Sequence, residues 1–369
     1  MSPPQGIDLS RRFYADVVRP WLAERFPGLR HAAALIGYGS ELLGFDDELS
    51  QDHNWGPRVW LSVSESDLAS HGADIVDGFA RVAPEVFQGV PVGFFNRPHL
   101  SGNGPGMRSH AGHGVEVRTV RAILHGLLAI EPDEPRDNLA WLGLSEQRLL
   151  TVTVGAVFHD DIGELTAIRQ RLAWFPGDVW LYKLACQWRR IMEEYAFVGR
   201  AGLAGDEIGS RVIAARLVRD VMRMAFLIER RYAPYPKWFG TGFSRLPCAP
   251  ELSPLLDRAL RAPDWKAREA ALADAYLAVA RLHLDRGVPG VFEPRLKPYF
   301  GRPFTVINAA EIMAAIRAEI ADPALRDLPV IGSLDQITDS TPVVEAPARA
   351  RAAMRALFDD FEPGPVEEA

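Results

Sequence analysis

The sequence predicts an α+β protein in two parts. Helical and strand patterns alternate through the first 130 residues, and from about residue 145 the pattern is nearly all helix. At 369 residues, 48% hydrophobic and 24% charged, the chain is long and apolar enough to bury the core of two domains. The expected organisation is residues 1–145, a helical domain over 146–362, and a flexible acidic tail at 363–369.

Residues 9–26 are amphipathic, with Phe13, Val17, Trp21 and Phe26 at roughly helical spacing. Pro27 and Gly28 end that helix, and Pro20 is expected to kink it. Residues 32–36 read as a short buried strand, stopped by the turn Gly37-Tyr38-Gly39-Ser40. In 57–63, Val59, Leu61 and Val63 alternate as one side of a half-buried strand. A helix follows over 66–83, then strands at 92–95 and 115–117, the latter feeding a helix at 120–130. Residues 102–114, rich in Gly, Pro and His, read as a flexible loop.

In the second part, Asp178 is the expected N-cap of a helix reaching about residue 198, with Trp180, Leu184, Trp188 and Ile191 as its apolar stripe. Asp206 is expected to cap a second helix, to about 231. A loop over 234–247 precedes helices at about 265–286, 309–320 and 346–361. No internal repeat is visible.

Composition narrows the function classes. The net charge of −7 argues against broad nucleic-acid binding and favours a small molecule or a protein as partner. The apolar runs fall far short of the roughly 20 residues of a membrane span, and the first six residues lack the pattern of a signal peptide, so a cytoplasmic location is expected. Cys186 and Cys248 are too few and too far apart for a metal knuckle and read as buried fillers. No phosphate loop, dinucleotide fingerprint or serine elbow is present.

The informative constellation is the Gly-Tyr-Gly-Ser turn, an eleven-residue spacer, and Asp52-His53-Asn54. A glycine turn lets backbone amides approach phosphate oxygens, and the Ser40 hydroxyl adds a donor beside Gly39. Residues at i and i+2 of a strand share a face, so Asp52 and Asn54 can reach one hard cation. Glu116, a lone acid inside a short apolar strand, is the candidate third ligand. Each also has a plainer reading, as a turn, a cap or an exposed strand residue. Asp46, Asp47 and Glu48 read as solvated loop acids, and the scattered His53, His110 and His113 lack metal-site spacing. Arg216, Arg219, Arg223 and Arg230 form one basic stripe, suited to an anionic cleft or to a wet helix face.

Residues 36–63 resemble the nucleotidyltransferase superfamily that includes DNA polymerase beta and kanamycin nucleotidyltransferase, whose signature is Gly-Ser, a similar spacer and Asp-x-Asp. The phrases Asp52-His53-Asn54-Trp55-Gly56-Pro57-Arg58, His113-Gly114-Val115-Glu116-Val117, Ala185-Cys186-Gln187-Trp188, Phe197-Val198-Gly199-Arg200 and Arg230-Arg231-Tyr232-Ala233-Pro234-Tyr235 look like an actinobacterial family of unknown function numbered 4037. The resemblance implies a mixed β-sheet core flanked by helices, followed by an all-α helical bundle. It implies an enzyme that moves a nucleoside monophosphate from an NTP to an acceptor, with Mg2+ or alternatively Mn2+ as cofactor. Gly39 and Ser40 would then contact the triphosphate, with Asp52, Asn54 and Glu116 at the metal. Lys183, near the start of a helix, and Arg216 would add nucleotide contacts, and Glu194, beside Glu193, would be the general base. Asn54 departs from the superfamily pattern. It keeps a carbonyl oxygen for a cation but removes a full charge, which leaves a catalytically degenerate binding protein, or recruitment to another biosynthetic reaction, as the alternatives.

Overall fold

The first helix changes its winding where proline interrupts it. In the computed structural model, which describes residues 6–47, 49–51, 55–93 and 112–359, an α-helix over Gly6–Phe13 passes through a π-helical turn, Tyr14–Val18, into a second α-helix, Arg19–Arg25. Pro20 has no N–H to donate back, and the widened turn before it is closed by the Arg19 N–H donating to the Tyr14 carbonyl.

The chain divides into two compact units, Met1–Glu134 with Arg148–Ala173, and Pro135–Gln147 with Trp174–Ala369. Among the described residues the first holds six strands: β1 (Ala32–Leu35), β2 (Val59–Ser62), β3 (Val86–Phe87), β4 (Val90–Pro91), β5 (Val115–Arg118) and β6 (Ala156–Asp160). Four of them form a sheet of order β5-β2-β1-β6, with β2 and β6 antiparallel to β1 and β5 parallel to β2, so the sheet is mixed as expected. Ala33, Val59, Leu61 and Val115 turn one face toward Phe13, Tyr14, Val18, Leu22, Ile75 and Phe79, which make the core. Phe13 and Phe79 meet edge to face at 6.1 Å. Burying each contributes about 2–3 kcal/mol. By the two-residue period, Trp60, Ser62, Glu116 and Arg118 belong to the opposite face.

Two elements depart from the sequence pattern. Of the strand expected at 92–95, residues 92 and 93 are a turn and 94 and 95 lie outside the described residues; just before it stands the hairpin β3–β4, turned by Gln88 and Gly89 at φ of 49° and 80°. Two consecutive positive φ values give the turn whose twist matches antiparallel strands. The second departure is β6, in a region expected to be helical. Its five residues are all half-buried and carry no alternation, so only pairing with β1 reveals the strand.

The second unit is helical, with one hairpin, β7 (Leu296–Tyr299) and β8 (Arg302–Ile307), added to the expected bundle. Helix Gly177–Glu194 packs against Glu207–Ile228 and Ala309–Ala318, and helix Ala249–Arg261 against Trp265–Asp285. Asp206 caps the helix at Glu207 by accepting from the Gly209 N–H at 2.7 Å. Asp178 does not cap its own helix: its carboxylate accepts from the Ala321 and Asp322 N–H groups. The expected loop at 234–247 contains the helix Pro236–Ser244, started by Pro236 in the first turn, where its missing N–H costs nothing. Among the described residues no helix is long and apolar enough to cross a membrane.

Candidate functional site

The Gly-Tyr-Gly-Ser turn follows β1 directly and runs into a 3-10 helix, Ser40–Leu43. Gly37 and Gly39 have φ of 97° and 141°, values that side-chain-bearing residues avoid. The turn is anchored from several sides. The Gly37 N–H donates to the Thr151 carbonyl at 2.7 Å, and Gly155 N–H to Leu42 carbonyl at 3.2 Å. The Arg58 guanidinium donates to the Tyr38 carbonyl at 2.6 Å and pairs with Glu41. Arg148 stacks over the Tyr38 ring at 5.5 Å. Ser40 is buried within this frame.

Glu41 is the residue that sequence reasoning missed. It is 1% exposed, and its Oε2 has no hydrogen-bond partner among the described residues. Burial raises its carboxyl to about 7, against the lowering pull of Arg58. The available signal was a charged residue directly after the turn, with a charge partner, Arg58, ahead of an apolar strand. Asp46 also departs from the solvated reading, because its Oδ2 accepts from the Gly6 N–H at 2.8 Å and the Trp55 indole N–H at 3.5 Å. Asp47 caps the Ser50 N–H at 2.7 Å.

Glu116 stands on β5 in register with Trp60 of β2. Trp60 packs against the turn: a Cβ built on Gly37 would lie 3.2 Å from its ring. The Glu116 carboxylate is engaged, accepting from Arg118 Nη2 at 2.7 Å and Nε at 3.1 Å, and Arg118 lies 5.1 Å over the Trp60 ring. Asp52 and Asn54, the other expected metal ligands, lie outside the described residues, as do Glu48, His53 and His110. His113 is buried edge-on against Phe79 at 5.2 Å and serves the core.

In the second unit, packing gives the expected residues partners of their own. Lys183 is not on a helix surface: its side chain is 0% exposed, with Nζ 2.7 Å from Ser333 Oγ, 3.0 Å from Glu146 Oε1 and 3.8 Å from Asp335 Oδ2. It also sits 4.4 Å over the Phe175 ring. An ammonium surrounded this way stabilises two buried carboxylates rather than reaching for phosphate. Burial, together with Glu146, raises the Asp335 carboxyl to about 6. Glu194 and Arg216, expected to be base and nucleotide contact, pair with each other at 2.7 Å. The second Glu194 oxygen is buried without a hydrogen-bond partner among the described residues, and burial raises that carboxyl. The rest of the basic stripe is similarly occupied, Arg219 by Asp339 at 2.5 Å and Arg223 over the Phe239 ring at 5.6 Å. Glu193, by contrast, lines a cavity of about 380 Å³ with Arg189, Tyr195, Lys297 and Tyr299.

Comparison with known proteins gives a family-model match over part of the chain and a distant structure. The model of the family described as "Domain of unknown function (DUF4037)" matches residues 141–239. That stretch contains three of the phrases quoted above, from Ala185 to Tyr235, together with the buried Glu146 and Lys183. A solved structure of a nucleotidyltransferase-like protein from Exiguobacterium sibiricum 255-15 aligns with 80% of this chain and 97% of its own, at 10% identity and a TM-score of 0.32. No curated protein matches the sequence.

Proposed function

We propose that the chain is a metal-dependent nucleotidyltransferase-like protein that moves a nucleoside monophosphate from an NTP to a small-molecule or protein acceptor. One observation carries the reading: a two-glycine turn at positive φ leaves β1 and packs on Trp60, the register partner of the only acid in strand β5. Gly39 and Ser40 would hold phosphate oxygens, and Asp52, Asn54 and Glu116 would hold magnesium. The carboxylate and amide oxygens of that set suit a hard cation, provided Glu116 exchanges Arg118 for metal. The ion would neutralise the triphosphate and orient it. In the transfer, the acceptor oxygen bonds to the α-phosphorus while the bond to pyrophosphate breaks, and the acceptor proton passes to a base.

A second reading, nucleotide or partner binding without turnover, is favoured by the Arg118 hold on Glu116 together with the missing charge at Asn54. Calorimetry with ATP, GTP, CTP and UTP, with and without magnesium, followed by measurement of pyrophosphate release, separates the two. Magnesium-dependent binding lost in Asp52→Ala, with pyrophosphate released when an acceptor is supplied, is the expected result. Binding without release across a broad acceptor panel, with release appearing in Asn54→Asp, would select the second reading. If no nucleotide binds, the first reading falls and so does the nucleotide-binding form of the second.

A further inference from the structure

Away from the glycine turn, where β1 meets β6, three side chains come together that the sequence gives no reason to associate. The Asp161 N–H donates to the His31 carbonyl at 3.1 Å, and Ala33 pairs with His159, so the sheet sets His31 opposite Asp161 and His159 one step along on the same face. The register slips between Ala33 and Ala34, whose partners are His159 and Val157, which leaves Phe158 as an extra residue in β6. A bulge of this kind re-aims its neighbours. One ligand atom from each of His31, His159 and Asp161 lies within 4.8 Å of the others.

The geometry points to a transition-metal site, of the zinc class, formed by His31, His159 and Asp161. Two imidazoles and one carboxylate are a borderline N/O donor set, suited to zinc and unsuited to magnesium. His31 is arranged as a ligand would be. Its Nδ1 lies 3.2 Å from the Leu29 carbonyl and can donate there, which makes Nε2 the acceptor of the Tyr14 hydroxyl at 2.9 Å, a bond the ion would replace. A second imidazole nitrogen bonded to a backbone carbonyl is the usual outer support of a metal-bound histidine. His159 Nε2 lies 2.7 Å from Asp161 Oδ2, a contact that a cation bound by both would replace. His31 is buried, whereas the His159 and Asp161 side chains are 25% and 45% exposed, giving the ion an entry path and a fourth position for water. Zinc–ligand bonds of about 2.1 Å place neighbouring ligand atoms roughly 3.4 Å apart, so His159 Nε2 and Asp161 Oδ2 must open from 2.7 Å while the widest separation, within 4.8 Å, closes by up to about 1.4 Å. The ion would join residue 31 to residues 159 and 161 and so clamp β6 to β1.

The test titrates the metal-free full-length protein with Zn2+ by calorimetry, and with Co2+ for its visible spectrum, in excess magnesium so that oxygen-only sites are filled. One Zn2+ per chain, intense tetrahedral Co2+ bands and a rise in melting temperature are expected, with affinity falling by more than about tenfold in His159→Ala and in His31→Gln. Variants His53→Ala and His110→Ala should bind as the parent does. Circular dichroism of each variant separates lost binding from lost fold, and Asp161→Asn, which keeps the surface shape, serves if His31→Gln misfolds. Absence of binding, or binding unchanged in folded His159→Ala and Asp161→Asn, overturns the site. Loss in His53→Ala would assign the ion elsewhere and overturn it equally. None of these readouts depends on nucleotide transfer.

Discussion

Lys183 Nζ lies 3.0 Å from Glu146 Oε1, and both side chains are withdrawn from water. The pair closes a network in which Glu146 Oε2 also accepts the Ala233 N–H at 2.9 Å and Asp335 accepts the Glu146 N–H at 3.0 Å. Removing the cation leaves two carboxylates buried near each other. Lys183→Met should therefore cost about 3–5 kcal/mol in urea unfolding, and adding Glu146→Gln should recover part of that loss, the double-mutant cycle giving the coupling.

Glu41 makes stability depend on pH in a direction opposite to most carboxylates. Its folded value of about 7 lies above the ordinary 4.5, so between those values the unfolded chain releases the proton while the folded chain keeps it. The contribution is therefore fully present below about 4.5 and is lost as pH rises through about 7. The difference corresponds to roughly 3 kcal/mol as an upper bound. Glu41→Gln should remove this decline, which a comparison of denaturant midpoints for the two proteins from pH 4.5 to 8 would detect.

Gly39 cannot take a side chain without displacing Glu41. A Cβ there would lie 2.3 Å from Glu41 Oε2, on backbone at φ 141°. Gly39→Ala should destabilise by about 1–3 kcal/mol or more, while Gly28→Ala, also at positive φ but with nothing within 4 Å, should cost less. Thermal unfolding of the pair isolates the steric part.

Arg118 restrains Glu116, and its own side chain is 41% exposed. Arg118→Ala should raise magnesium affinity if Glu116 is a ligand, with little change in stability, as usual for partly exposed pairs. Calorimetry with magnesium and nucleotide decides it. Unchanged affinity would remove Glu116 from the metal set.

Both cysteines are buried, and burial lifts each thiol to about 12. A thiol-specific reagent at pH 8 should modify neither in the folded protein and both in denaturant.

Much of the fold was legible because it rests on local periodicity. The helix beginning at Glu207 follows the Asp206 cap, and β2 follows the alternation of Val59, Leu61 and Val63. What escaped depends on distant partners. The β6 strand has no pattern of its own, and the helix Pro236–Ser244 lies in a Gly- and Pro-rich stretch that reads as loop. At the site, the turn was legible from its glycines, but Glu41 was not, because a buried charge is recognisable only once Arg58 is placed beside it. The partners of Lys183 were hidden for the same reason: helix position says nothing about carboxylates brought from residues 146 and 335.

The pairing of β6 with β1 has a consequence for synthesis on the ribosome. The outer edge of β1 emerges by residue 35, but its partner strand begins at Ala156, some 120 residues later. At 5–20 residues per second, that edge waits roughly 6–25 s with its N–H and C=O groups unpaired. A nascent chain in that interval carries an open strand edge of four apolar residues, Ala32 to Leu35, the kind of template that invites pairing with another chain. Slow translation between residues 36 and 156 should therefore lower the soluble yield more than equally slow translation after residue 161.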